Sequence, residues 1–290
     1  MIQGTLDSIV EWLESILTDC IMDNLSGMFD QINTEIGEVA SNVGTTPAAW
    51  NAGVFSMIRS LSDNVVVPVA GIILTFVLCY ELITMIIDRN NLHDFETFIF
   101  FKWIVKAFIA VTLVTHTFDI TMAIFDVAQH IVHQSAGIIT GTTSVDFAAA
   151  LGNVSAQLDA MEVAELLGLF VETMILRITA PVISLCVMLV LIGRMIEIYI
   201  FCSVGAIPLA TMTNHEWGQM GQNYLRGLVA LGLQGFFIMI CVAIYSVLIG
   251  QIGSGASIHA TIWQCLGYTV LLCFSLFKTS AVSKSILNAH

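Results

Sequence analysis

"SLCVMLVLIGRMIEIYIFCSVGAIPLATM", residues 184–212, decides the fold class. It is almost wholly apolar, yet it carries Arg194, Glu197 and Pro208. A helix needs about 20 mostly apolar residues to cross the roughly 30 Å of hydrocarbon in a bilayer. Extended back to Ile178, this stretch has that length. Arg177 and Arg194 bracket its core, 17 residues apart with no charge between them, or about 25 Å along a helix. Arg194 is therefore expected at the edge of the hydrocarbon, where a long side chain can snorkel to water. Glu197, three residues on, shares its helix face and is expected to pair with it. The pair reads either as an interfacial anchor or as a polar patch facing an oligomer seam or pore. Pro208 predicts a helix end just before it, because the residue preceding a proline is pushed out of the α region.

The rest of the chain has the same character. Its 290 residues are 57% hydrophobic and 11% charged, against roughly 45–50% and 25% in globular proteins. So few charges do not coat a soluble surface. Four further segments are long and apolar enough to span: Val65–Ile87, Phe98–Thr117, Leu228–Ile249 and Thr261–Phe277, the last running on to about residue 280. Backbone groups in lipid must bond internally, and the period-2 alternation of barrel strands is absent, so the spans are helices. The expected fold is an all-α polytopic integral membrane protein with about five transmembrane helices and outer amphipathic helices.

Basic residues orient such a chain. Residues 1–63 carry nine acids and one base, Arg59, and residues 119–165 carry six acids and no base. Arg89, Lys102, Lys106, Arg194, Arg226, Lys278 and Lys284 lie in or beside the alternate connections and the C-terminus. Five spans with the N-terminus outside put all seven on the cytoplasmic side. Residues 1–63 then form an extracytoplasmic N-terminal amphipathic helical region and 64–290 a transmembrane domain. Its spans are about 65–87, 98–117, 178–201, 228–249 and 261–280, with an outer loop region over 119–165 and a cytoplasmic loop over 204–226. The first 22 residues hold four acids and no base, the reverse of a secretory signal.

Outside the spans, apolar residues from Leu6 to Ile32 recur at helical spacing with Asp7, Glu11 and Glu14 on another face. This acidic helix suits packing against copies of itself or a partner better than anionic lipid. "TTPAAW" predicts a second helix capped by Thr46 with Pro47 at its first position. Ile120 to Ile138 keep helical spacing, so the second span is expected to continue outward before "GIITGTTS" breaks it. In the loop 204–226, "TMTNHEWGQMGQNYLRG" reads as a docking loop or a plain connector, with Trp217 as an interface anchor.

Signs of chemistry are sparse. Asp126, His130 and His133 share one helix face but read better as a solvated face than as metal ligands. There is no phosphate-cradling loop, HExxH motif or paired-cysteine spacing. No enzyme activity, metal or cofactor is expected, although bound lipids are. The polar residues in or beside the spans are the candidates for function: Glu81, Lys102, Lys106, Glu172, Arg177, Arg194, Glu197, Arg226 and Gln234. Gln234, flanked by Gly232 and Gly235, is placed to hydrogen-bond across helices.

Two stretches resemble a known family: "WNAGVFSMIRSLSDNVVVPVAGIILTFVLCYELITMIIDRNNLHDFETFIFFKWIVKAF" (50–108) and "RMIEIYIFCSVGAIPLATMTNHEWGQMGQNYLRGLVALGLQGFFIMI" (194–240). They are similar to the TrbL-like conjugal-transfer membrane proteins of Gram-positive integrative elements, over essentially the whole chain. The resemblance implies a homo-oligomeric, five-span subunit of a type IV secretion system in the cytoplasmic membrane. Its implied partners are itself, other secretion subunits, lipids and, transiently, the DNA–relaxase substrate. It implies no catalytic residues. A net charge of −13 with nine basic residues argues against gripping DNA through phosphates. A ring would nevertheless repeat Arg194, Arg226, Lys102 and Lys106 around a cytoplasmic mouth. A small-solute or ion transporter and a poreless accessory factor are the alternatives.

Overall fold

The computed structural model describes residues 2–87, 97–140, 154–155, 157–251 and 257–289. Among these it is helical, with no strand. The helices are α1 (Ile2–Val43), α2 (Pro47–Trp50), α3 (Ala52–Leu61), α4 (Val67–Ile87), α5 (Thr97–Thr115), α6 (Thr117–Thr140), α7 (Val163–Val204), α8 (Ala206–Thr211), α9 (Gly218–Gly250) and α10 (Ile258–Ile286). A π-helical turn, Ser62–Val66, joins α3 to α4. Arg89, the GIITGTTS break from residue 141 onward and most of the loop 141–156 lie outside the described residues.

Four stretches are long and apolar enough to cross a membrane: Ala52–Ile87, Val163–Val204, Gly218–Gly250 and Ile258–Ile286. The remaining expected span, 98–117, is α5, and the helical run bends sharply just past its end. Phe100–Thr115 and Thr117–Ser135 together have the required length, but they meet at a bend of 72°. The apolar run continues past Thr117 as expected, but in a new direction.

The chain forms two compact units. One compact unit comprises Met1–Val43, Gln134–Leu191 and Ile238–Lys278; the other comprises Gly44–His133, Ile192–Phe237 and Thr279–His290. Helices α6, α7, α9 and α10 contribute to both.

In the first unit, α1 is held to α7 by a polar seam. Asn24 donates to Thr173 (3.3 Å) and accepts from Arg177 (2.8 Å). Gln31 donates to Ser184 (2.9 Å), whose hydroxyl donates in turn to Glu35. Leu25, Met28, Ile32 and Val39 are buried on α1, as are Leu176, Ile183 and Val187 on α7. The polar residues of α1 are thus not all on a solvated face. Its second half lies beside the start of the third expected span rather than apart from it.

In the second unit, Val66, Ala70 and Leu74 pack with Ala110, Val114, Ala206 and Ala210. Small residues on three helices let their backbones approach closely, the usual basis of packing in lipid. Thr46 caps α2 and Pro47 opens it, as the sequence predicts.

Two further contacts in this unit join segments distant in the chain. A Cβ on Gly205 would lie 2.2 Å from the Tyr224 hydroxyl and 2.9 Å from Thr117 Cγ2. Thr117, just past the end of α5, thus lies against the start of the stretch 204–226. The Tyr199 hydroxyl donates to the Pro47 carbonyl at 2.6 Å, which ties the start of α2 to α7.

Candidate functional site

Three helix breaks meet in the second unit: the π turn Ser62–Val66, the bend at His116 and the gap at Gly205. Val66, Val114 and Ala206 share one core, and Thr117 lies against Gly205. The predicted break before Pro208 falls instead at Gly205, with Pro208 tolerated in the first turn of α8. Backbone groups freed inside lipid must find other partners. Tyr224 supplies one by donating its hydroxyl to the Phe201 carbonyl at 2.9 Å. Thr117 Oγ1 donates to the Leu113 and Val114 carbonyls, both at 2.9 Å.

Beyond α8 the chain is pinned to α4 and α5. Lys106 on α5 donates to Glu81 Oε1 on α4, and Asn214 donates to Glu81 Oε2 at 3.0 Å. Asn214 Oδ1 also accepts from the backbone of Glu216 and Trp217, closing a tight turn. Trp217 stacks on Phe76 and Tyr80, with ring centroids 5.8 and 5.4 Å away. Trp217 thus clamps the turn onto α4 while its ring stays 38% exposed. An open cavity of about 440 Å³ lies here, lined by Lys106, Asn214, His215, Gln222, Asn223 and Arg226 among others. It brings together two of the candidate residues, Lys106 and Arg226, from α5 and α9.

The other candidates lie elsewhere. Lys102 is exposed on α5. Glu172 accepts from or pairs with His259 Nδ1 at 2.8 Å, and Arg177 binds Asn24, both within the first unit. Gln234 Nε2 reaches Thr279 Oγ1 at 3.5 Å, across helices as expected, while its Oε1 is buried without a partner among the described residues. Close approach at Gly232 holds as well: a Cβ there would meet the Ala128 Cβ at 2.9 Å.

The expected Arg194–Glu197 pair is not formed. Glu197 binds Lys284 of α10 at 2.6 Å. Arg194 is 4% exposed rather than snorkelling, and its Nε has no partner among the described residues. Sharing a face three residues apart permits a pair, but a lysine from a neighbouring helix competes for the same carboxylate. Sequence reasoning also missed Asn214, Glu35, Ser184 and His259. Of these only Asn214 leaves a local signal, as an asparagine opening a turn; the others acquire meaning only through a partner distant in the chain.

Fold and contacts together define an all-α, multi-pass membrane protein in which pairs such as Lys106–Glu81 and Lys284–Glu197 tie helix to helix. A family model described as TrbL/VirB6 plasmid conjugal transfer like protein matches residues 32–206, more than half of the chain, and the chain belongs to that family. It is accordingly a membrane subunit of conjugal transfer by type IV secretion, a family of structural components. The match takes in the whole of the stretch 50–108 and ends inside the stretch 194–240. No curated protein and no solved structure matches the chain.

Proposed function

We propose that this protein is an oligomeric scaffold or channel-wall subunit that helps move DNA and its attached relaxase across the cytoplasmic membrane of a Gram-positive bacterium. In this reading the N-terminus is outside and the C-terminus inside. The observation that carries it is the segregation of charge. Residues 1–63 and 119–165 hold fifteen acids and one base, whereas Lys102, Lys106, Arg226, Lys278 and Lys284 belong to the opposite side. Lys106 and Arg226 line one cavity, so an oligomer would repeat that cavity around its cytoplasmic mouth. Other secretion subunits would dock there and on the acidic first half of α1.

Small-solute transport is favoured by one observation, the meeting of three helix breaks, since transporters use discontinuous helices at their binding sites. Against it, the Phe201 carbonyl at the Gly205 break is already taken by Tyr224. Two measurements test the proposal. Mass photometry of the full-length protein in nanodiscs is expected to show a closed oligomer. In intact cells a tag before Thr5 is expected to react with an impermeant label, and a tag after Asn288 is not. A uniform monomer, or the reverse labelling, overturns it.

A further inference from the structure

We propose that the first turns of α9 hold an anionic glycerophospholipid, with its phosphodiester headgroup in the cavity at Arg226 and an acyl chain in the apolar cleft on the other side of Asn223. The inference does not depend on the oligomer, because every residue it uses belongs to one chain and one compact unit.

The headgroup side follows from charge. Of nine basic residues in a chain of net charge −13, two line this one cavity, and among the described residues no carboxylate lines it. Lys106 is neutralised by Glu81, which also holds Asn214. Arg226 has no ion pair among the described residues. It is therefore the uncompensated cation of the cavity, and its planar fork matches the two free oxygens of a phosphodiester. His215, Gln222 and Asn223 add neutral donors. A volume of about 440 Å³ lies within the range of about 300–1,000 Å³ typical of small-ligand pockets.

The second side distinguishes a lipid from a soluble anion. A separate cleft of about 410 Å³ shares Asn223 with the first and is lined chiefly by Phe201, Pro208, Met220, Tyr224 and Gly227. Its one cation, Lys284, is already bound to Glu197. A polar cavity and an apolar cleft thus meet at one side chain, as the headgroup and tail of one molecule require. Met220 beside them is 57% exposed, on the helix that runs on into the expected span from Leu228, so the cleft opens at the surface next to that span. Basic pockets between membrane helices are a general mode of anionic headgroup recognition.

The test is native mass spectrometry of the full-length protein in detergent, titrated with phosphatidylglycerol, phosphatidylcholine or glycerol phosphate. Phosphatidylglycerol is expected to be retained at least about fivefold better than phosphatidylcholine, the equivalent of about 1 kcal/mol for one cation. Arg226→Gln is expected to lower its retention by a similar factor, Arg226→Lys to preserve most of it, and Lys102→Gln, an exposed base outside the lining, to leave it unchanged. Asn223→Asp, nearly isosteric, places a carboxylate in the shared wall and is expected to lower retention as well; it decides the matter if Arg226→Gln fails to fold. Equal retention of the two lipids, or wild-type retention by Arg226→Gln or Asn223→Asp, overturns the proposal. So does an equal loss in Lys102→Gln, which would indicate diffuse surface charge. Displacement of the lipid by glycerol phosphate at equal concentration assigns the cavity to a soluble phosphate and overturns the lipid source.

Discussion

Arg194 is a guanidinium 4% exposed, with no ion pair among the described residues and an unpartnered Nε. Burying an uncompensated charge costs several kcal/mol even after relaxation, so Arg194 works against stability. Arg194→Met, which keeps the volume and removes the charge, is expected to leave the thermal midpoint in detergent unchanged or raised. A fall of several degrees would contradict this. Glu35 illustrates the same physics with a carboxyl. Burial against α7, reinforced by Glu38, pushes its pKa up from 4.5 to about 7. Between those values the folded state binds more protons than the unfolded state, so stability falls as pH rises from about 4.5 to about 7 and is flat above. Glu35→Gln is expected to flatten the profile, measured as the thermal midpoint from pH 5 to pH 8; an unchanged slope would locate the titrating group elsewhere.

Among the elements, the breaks matter more than the spans. Gly205 has ordinary helical dihedrals, φ −58° and ψ −28°, so a side chain there is excluded by space and not by conformation. Gly205→Ala would drive a methyl into the Tyr224 hydroxyl, which satisfies the Phe201 carbonyl. The expected cost is about 1–3 kcal/mol, read as a lowered midpoint, whereas Gly193→Ala, with open space around it, is expected to cost nothing comparable. The turn after α8 depends on its clamp. Each aromatic pair is worth about 0.5–1.5 kcal/mol beyond its buried area, so Trp217→Ala is expected to free residues 212–218 from Phe76 and Tyr80. Limited proteolysis should then cut within 212–218 faster than in the wild type, and Glu81→Gln, which weakens the hold on Lys106 and Asn214, should do the same. Unaltered cleavage in both would mean that neither contact holds the turn.

For the whole molecule, net charge sets what can be held and where. At −13 with nine bases, the chain cannot release enough counterions to bind a duplex tightly. Full-length protein in neutral detergent is expected to show no binding of duplex DNA at physiological salt by fluorescence anisotropy, and a Kd tighter than about 10⁻⁶ M would contradict this.

Length and composition by themselves determined the solvent, the helical class and the places where apolar helices run, because twenty oily residues have no stable home but a bilayer or a core. They also singled out Glu81, Lys106 and Arg226, since a charge beside a span is costly enough to stand out. The 72° turn at His116, the gap at Gly205, the seam from Asn24 to Glu35 and the choice of Lys284 over Arg194 by Glu197 were decided only in three dimensions. Each depends on which distant side chain arrives to fill a space or accept a proton, and local periodicity carries no record of that partner.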